Sequence, residues 1–369
     1  MRVPDREYSL KEFHRYLVDQ SDEVFADDKR KRWLKIYCLL VSDQGWQDRL
    51  FAANEITRLG EVLKIEPSTT PIGSDDSDSD LENSNPEPER YYIAEYCPGL
   101  LLMYTTANND EYQKDLGRRI DRCRGVTQMW MKPDLFETLW KGILERSGGY
   151  AYFFTASRSS FDAVRCKIRP ECKRRLNYTG RDAIQTMQEM QESYGVLPEI
   201  VYLQADQDLK LHIRNDGLFA AREISANALN LFFTHLDEIK EDILRMWKTS
   251  NQFNFELVRE AAGLQLASVN AGRIKLNAKE LDSVAFSRMK DNLEGFSIID
   301  AHLETGSFSL TATVIDERKN SVFDISATES QILIVPKFRT TQESFIRFYK
   351  EIVETIDESA ELSLANPLA

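Results

Sequence analysis

Arginine and lysine side chains are concentrated in one stretch of the chain, where their type and number suit the binding of an anion. Residues 114–181 hold 16 Lys and Arg against 7 Asp and Glu, a net charge of +9, whereas the whole chain of 369 residues carries −13. Such a basic segment in an acidic protein is typical of a surface that meets phosphate or nucleic acid. Its densest part supplies our candidate anion-binding residues: Arg158, Arg165, Lys167, Arg169, Lys173, Arg174, Arg175 and Arg181.

A helix expected directly after these cations favours an anion site. Thr179 stands where it would cap a helix that carries Ile184, Met187 and Met190. The free N–H groups and the dipole at the start of a helix attract anions, and nearby cations add to that attraction. The alternative is a solvated connector whose cations pair with acidic residues elsewhere in the protein.

Aromatic residues flank the basic segment. The motif Gly149-Tyr150-Ala151-Tyr152 resembles part of the RNP1 strand of RNA-recognition motifs, in which rings on one face of a strand stack on bases. The resemblance implies an RNA-binding strand. The sequence departs from the pattern at Gly148, where a basic residue is expected, and at Thr155, where an aromatic residue is expected. A helix is also predicted where that motif has a hairpin strand, so we interpret residues 150–155 as a buried strand.

Acidic residues near two predicted turns are the best candidates for catalysis. Asp206 and Asp208, with Lys210 beside them and Asp216 on the next turn, have the side chains that hold Mg²⁺ in phosphodiester hydrolysis. Turn chemistry explains the same aspartates, because their side chains hydrogen-bond the backbone of turns. The sequence contains no Gly-x-Ser-x-Gly elbow, Walker loop or dinucleotide-binding glycine pattern.

Cysteine and histidine usage predicts a reduced, metal-free protein. The five cysteines are scattered without a Cys-x-x-Cys pair, and the four histidines are too dispersed to form a local pair of ligands. The longest apolar runs are far shorter than the roughly 20 residues that a membrane helix needs. We therefore expect a cytoplasmic protein with no membrane segment and no cofactor.

Composition and periodicity divide the chain into an interrupted N-terminal domain and two further units. Residues 67–89 are Ser-rich and acidic, which predicts a disordered insert. Residues 1–66 and 90–165 alternate strands with helices around a mixed sheet, starting with a helix capped by Ser9. A second helix is predicted from the spacing of Leu50, Ile56, Leu59 and Leu63.

The C-terminal half reads as antiparallel strands with covering helices, repeated once. The first α+β unit, residues 166–250, has a meander with an Asn215-Asp216-Gly217 turn and a long helix that starts at Ser225. The second α+β unit, residues 251–362, has a helix capped by Asn277, four strands and a last helix over 341–356.

These observations predict a mixed α/β and α+β, multidomain fold: an N-terminal α/β layer followed by C-terminal antiparallel meander sheets, each covered by helices. We expect a soluble intracellular binding protein, without enzymatic activity, that uses its basic surface for an anionic partner such as nucleic acid or phosphate. A metal-dependent nuclease or other phosphotransfer enzyme on Asp206, Asp208 and Lys210 is one alternative. A structural subunit of a larger complex, with a protein partner, is the other.

Overall fold

The computed structural model of the protein describes most of the chain. The described residues are 1–20, 24, 33–67, 89–158, 166–169, 172–205, 209–222, 225–259, 265–304, 308–338 and 340–365. Residues 68–88 of the predicted acidic insert lie outside this part, as do the candidate residues Arg165, Asp206 and Asp208.

Antiparallel sheets flanked by helices form the described part of the chain. Its strands are β1 (Trp33–Val41), β2 (Ile56–Leu59), β3 (Val62–Ile65), β4 (Tyr91–Cys97), β5 (Leu100–Thr105), β6 (Val126–Gln128), β7 (Tyr150–Arg158), β8 (Arg174–Thr179), β9 (Leu197–Ala205), β10 (Leu209–Arg214), β11 (Leu218–Arg222), β12 (Asn254–Arg259), β13 (Gln265–Asn270), β14 (Gly272–Lys275), β15 (Phe296–Glu304), β16 (Ser309–Asp316), β17 (Ser321–Thr328), β18 (Gln331–Pro336) and β19 (Glu361–Leu364). Its α-helices are α1 (Leu10–Asp19), α2 (Trp46–Leu50), α3 (Asn109–Tyr112), α4 (Arg118–Arg122), α5 (Pro133–Ser147), α6 (Ala183–Tyr194), α7 (Ala226–Ser250), α8 (Ser283–Asn292) and α9 (Gln342–Thr355). A π-helical turn, Gln113–Gly117, joins α3 to α4.

The predicted mixed α/β and α+β class is confirmed. Within the described residues, no helix is both long and apolar enough to cross a membrane.

The largest sheet has eleven strands, in the order β2-β3-β4-β5-β1-β11-β10-β9-β7-β8, with β6 also paired to β1. Its strand pairs are antiparallel, rather than the mixture expected for the N-terminal part. The domain boundary predicted after residue 165 falls between β7 and β8, which pair with each other. The N-terminal strands and the meander β9-β10-β11 therefore share one sheet.

The predicted helix between Leu50 and Leu63 is wrong. The chain instead forms α2, a 3₁₀ turn and the hairpin of β2 and β3. Gly60 makes this hairpin: its φ of +69° lies in the left-handed region, and a Cβ atom there would come within 2.6 Å of the Tyr8 carbonyl oxygen. The apolar spacing fits a helix, but the conformation at Gly60 cannot continue one.

Several predicted local signals are confirmed. Ser9 and Glu12 form the expected capping box at the start of α1. The Ser225 hydroxyl accepts a hydrogen bond from the Ala228 N–H at 3.1 Å and starts α7. Gly217 has a φ of +79° in the turn between β10 and β11, as the Asn-Asp-Gly sequence predicts.

The C-terminal part contains a second sheet of six strands, in the order β15-β16-β17-β18-β14-β19. One side of it packs with α8 and α9 in a separate hydrophobic cluster. Asn277 does not cap α8, which begins six residues later at Ser283. The backbone N–H of Asn277 instead donates to Asp357 Oδ2 at 2.6 Å. Asp282 is the cap instead and accepts from the Ala285 N–H at 2.6 Å. Strands β12 and β13 form a separate two-stranded sheet.

The eleven-stranded sheet has two unlike sides. On one side, α1, α5, α6 and α7 contribute to a hydrophobic cluster with sheet residues such as Val201, Leu203 and Leu211. On the other side, α2, α3 and α4 cover only the part around β1, β4 and β5. That second side is therefore not uniformly buried among the described residues, and its β7–β10 part carries the candidate site described below.

A buried lysine joins the C-terminal unit to the large sheet. Lys319, in the turn between β16 and β17, is 8% exposed. Its ammonium donates to the carbonyl oxygens of Ile120 and Cys123 at 3.0 Å each, and to that of Val126 at 3.4 Å. Ile120 lies within α4, and Cys123 and Val126 come after it. The negative end of the helix dipole at this place favours a cation. Burial lowers the pKa of Lys319.

Replacing Lys319 tests this connection. We expect Lys319→Met to reduce the free energy of unfolding by about 2–4 kcal/mol, because three carbonyl oxygens lose their buried donor. Chemical denaturation measures the change, and Lys275→Met, at an exposed lysine of the same unit, serves as the control. A loss no larger than that of the control would show that Lys319 does not hold the two units together.

Candidate functional site

The predicted anion-binding residues occupy different environments. Arg158 is 4% exposed, and its guanidinium donates to the carbonyl oxygens of Tyr194 at 2.8 Å, Arg169 at 3.0 Å and Cys172. These bonds tie the segment that leads into β8 to the end of α6. Arg158 therefore shapes the basic segment, whereas Lys167 and Arg169 are exposed on it.

Strand β8 separates the remaining cations. Arg174 lies over the ring of Tyr194, 4.4 Å from its centroid, on the side of the sheet that the helices cover. Arg175 points to the opposite side, where its Nη2 is 3.9 Å from Glu199 Oε2. Arg181 lies two residues beyond the other end of β8, and its guanidinium is 5.8 Å from the centroid of the Tyr150 ring.

The helix predicted to begin at Thr179 is wrong in its start. Thr179 is the last residue of β8, paired with Phe153, and α6 begins at Ala183 after Asp182. Pairing with β7 extends β8 through Thr179, because it gives backbone groups of residues 174–179 hydrogen-bond partners, so the helix starts later than predicted. Arg174 and Arg175 consequently lie on β8, and Lys167, Arg169 and Lys173 precede this strand, so these cations are not grouped directly ahead of the α6 N-terminus.

A row of side chains crosses the side of the large sheet that α1, α5, α6 and α7 leave uncovered. Direct pairing places Lys35 opposite Ala220, Ala220 opposite His212, His212 opposite Tyr202 and Tyr202 opposite Phe153. Paired residues of neighbouring antiparallel strands point to the same side of a sheet. The row therefore brings together side chains from five strands that are distant in sequence.

Aromatic rings dominate the centre of this row. The His212 and Tyr202 rings are stacked, with centroids 4.2 Å apart and planes at 8°. Phe153 meets Tyr202 edge to face at 5.0 Å, and Tyr152 does so at 6.0 Å. Tyr150 donates its hydroxyl to Gln204 Oε1 at 3.1 Å. We call the group the aromatic face: Tyr150, Tyr152, Phe153, Tyr202 and His212.

The aromatic face is partly exposed in the described part of the protein. Its five side chains are half-buried, and none belongs to the three hydrophobic clusters formed by the described residues. Burial lowers the pKa of His212 to about 3, and the positive charges of Arg214 and Lys35 act in the same direction. The imidazole is therefore neutral at physiological pH and acts as another flat ring beside Tyr202.

Cations surround the aromatic face. Lys210 and Arg214 lie two residues before and after His212 on β10, so all three share one side of the strand. Arg222 is exposed at the end of β11, and Arg175 is exposed on β8. The Lys35 ammonium donates to the Ala107 carbonyl oxygen at 2.6 Å. A ligand resting on the rings thus meets positive charge on several strands.

Sequence reasoning identified only part of this face. Ala151, Phe154 and Thr155 are buried, as the interpretation of residues 150–155 as a buried strand requires, but Tyr150, Tyr152 and Phe153 are not. Tyr202 and His212 were missed altogether. A signal was present in the alternation of Ile200, Tyr202 and Gln204 with buried residues, and in that of Lys210, His212 and Arg214.

The acidic catalytic candidates give no described geometry. Asp206 and Asp208 lie outside the described residues, so the metal-dependent nuclease stays a prediction. Lys210 lies on β10 opposite Gln204. Asp216 belongs to the turn after β10 and pairs with Arg214. This ion pair places Asp216 at the edge of a polar cleft.

The cleft lies between the large sheet and the C-terminal unit and has a volume of about 260 Å³. The sheet side contributes cations and acids from β8, β9 and β10 and from residues next to β8 and β10: Lys173, Arg175, Glu199, Arg214 and Asp216. The opposite side is formed by α9 and the turn before β15: Glu294, Lys350, Glu351 and Glu354. We call this the interunit cleft.

Two glutamates of α9 have raised pKa values in the interunit cleft. Burial raises the pKa of Glu354 to about 7; the negative charges of Glu351 and Glu199 add to this, and the Lys350 ammonium, 3.9 Å away, opposes it. Burial also raises the pKa of Glu351, whose Oε2 accepts from the Glu294 N–H at 3.4 Å. Glu354 therefore changes its charge near neutral pH.

Comparison with known proteins gives a partial match. The AF_0896_M family middle domain matches residues 147–215, a range that contains all five residues of the aromatic face. An uncharacterized protein of Archaeoglobus fulgidus is 24% identical over 263 residues, which cover 64% of this chain and 68% of that protein. No solved structure matches.

Replacing Glu354 tests the acidity of the cleft. The folded protein keeps the Glu354 proton up to about pH 7, whereas the unfolded chain releases it near pH 4.3. This group therefore lowers the free energy of unfolding as the pH rises from about 5 to 8. We expect Glu354→Gln to remove about 1–2 kcal/mol of that decline. Chemical denaturation at pH 5 and pH 8 measures it.

The control is Glu329→Gln, at an exposed glutamate of the turn after β17. Equal pH dependence of stability in wild type, Glu329→Gln and Glu354→Gln would contradict the raised pKa.

Proposed function

We propose that this protein binds single-stranded nucleic acid on the aromatic face, as a binding protein rather than as an enzyme. The observation that carries the proposal is the position of Tyr202, half-buried on an uncovered side of a sheet between the rings of Phe153 and His212. Such a surface offers bases an aromatic contact that a solvated polar face does not.

Ring geometry supports stacking of unpaired bases. The parallel His212 and Tyr202 rings and the edge-on Phe153 and Tyr152 rings form a continuous row of contacting aromatic rings across β7, β9 and β10. Base–aromatic stacking contributes about 1–3 kcal/mol per base, largely independent of sequence. Bases in a duplex cannot reach such a row of rings, because they are stacked on each other. Single strands are therefore the ligand that this face suits.

Charge supports a polyanionic ligand. Lys210 and Arg214 on β10, Arg222 at the end of β11 and Arg175 on β8 lie around the rings. Positive charge beside stacked rings is the combination by which single-stranded nucleic acids are held, the cations meeting phosphates while the rings meet bases. Of the residues predicted from the sequence, Arg175 belongs to this surface most directly.

We further propose that the protein is cytoplasmic and binds nucleic acid without a cofactor. A cytoplasmic location fits the absence of a disulfide pattern among the cysteines. No metal or other cofactor is needed for binding by stacking and charge. The RNP1-like segment contributes Tyr150 and Tyr152 to the face. It belongs to an eleven-stranded sheet, whereas an RNA-recognition motif has a sheet of four strands.

Replacing Tyr202 tests the proposal. We expect Tyr202→Ala to weaken binding of a ten-nucleotide single strand by about 10-fold, because the central ring of the row is lost. Tyr202→Phe keeps the ring and should bind within about twofold of wild type. Fluorescence anisotropy with a labelled uridine oligonucleotide measures both.

Phe338→Ala is the matched control, since Phe338 is an aromatic residue 63% exposed that lies outside the aromatic face. Equal affinity of wild type and Tyr202→Ala, or no binding by the wild-type protein at low salt, would rule out the aromatic face as the nucleic-acid surface.

A further inference from the structure

The interunit cleft continues the aromatic face. Ile200 lines the cleft, and Tyr202 lies two residues further along the same strand on the same side, about 7 Å away by strand geometry. Arg214 lines the cleft as well, two residues from His212 on β10. A nucleic-acid strand with one base stacked at Tyr202 therefore leads its next nucleotide towards the cleft.

The two walls of the cleft offer opposite hydrogen-bonding groups. Arg175 and Arg214 on the sheet wall are donors that suit phosphate oxygens. Glu351 and Glu354 on the α9 wall lie three residues apart, on one face of the helix, and in their ionised form, which Glu354 takes above about pH 7, they are acceptors that suit the N–H groups of a base. Glu351 also accepts from the Glu294 N–H, and Glu354 lies 3.9 Å from Lys350. The sheet-wall acids, Glu199 and Asp216, already face Arg175 and Arg214 respectively.

We propose that the interunit cleft takes one nucleotide of the bound strand and prefers guanine there, an inference that rests on the proposed function. Guanine presents two adjacent donors, its ring N1–H and its 2-amino group, which match the two oxygens of one carboxylate. Uracil presents a single N–H between two carbonyl oxygens, and those oxygens face the glutamates unfavourably. A bidentate pair between a side chain and a base is the usual source of base discrimination.

The size and the formation of the cleft agree with this role. Its volume of about 260 Å³ is close to the roughly 300 Å³ at which small-molecule pockets begin. It exists only because the C-terminal unit stands against the sheet, with α9 facing β9 and β10. Base selection would thus come from one unit and phosphate binding from the other.

The test compares oligonucleotides on the wild-type full chain. Fluorescence anisotropy is measured with a ten-nucleotide uridine strand and with the same strand carrying one guanosine at its 5′ or its 3′ end. We expect the guanosine at one of the two ends to raise affinity about 10-fold. Inosine at that end, which lacks the 2-amino group, should lose most of the gain.

Variants then assign the preference to α9. The ratio of guanosine-ended to uridine affinity should fall below about twofold in Glu351→Gln or Glu354→Gln and stay at the wild-type value in Glu329→Gln. Equal affinities for all strands in the wild type would overturn the guanine site while leaving the aromatic face as a binding surface. Absence of binding by every strand would contradict both.

Discussion

Strand β9 sets the register on which the candidate site depends. It pairs with β10 on one side and β7 on the other, so Tyr202 lies directly opposite both His212 and Phe153. Val201 and Leu203, on either side of Tyr202, point into the helix-covered core. A shift of one residue would exchange the two sides and bury Tyr202 in place of these aliphatic residues. The requirement to bury Val201 and Leu203 therefore also holds the rings on the uncovered side.

The contact between the C-terminal unit and the sheet depends on buried charges. Asp316, fully buried, accepts from the backbone N–H groups of Arg318 at 3.0 Å and Lys319 at 3.1 Å, and it pairs with Arg347 of α9. This shapes the turn that presents Lys319 to the carbonyls after α4. Glu343, at the start of α9, accepts from the Gly125 N–H of the same segment. Helix α9 therefore takes part in the contact twice, through Arg347 at Asp316 and through Glu343 at Gly125. The same helix carries the glutamates of the interunit cleft.

Local signals predicted the fold where one segment decides its own structure. Ser9 and Ser225 cap helices as expected, since each side chain reaches a backbone N–H three residues on. The prediction was wrong at Thr179, where pairing with β7 competes with capping. Phe153 and Tyr202 are 49 residues apart in sequence, and only the order of strands brings their rings together. That order comes from burying the whole sheet, which no single segment encodes.

The central claim is that nucleic acid contacts the uncovered side of the sheet at the rings of β7 and β9. Photo-crosslinking tests it most directly: a single strand containing 4-thiouridine is bound to the full chain and irradiated, and the crosslinked peptides are identified by mass spectrometry. We predict crosslinks at Tyr152, Phe153 and Tyr202, all half-buried on that side. Crosslinks confined to the C-terminal unit or to the helix-covered side of the sheet would contradict the account.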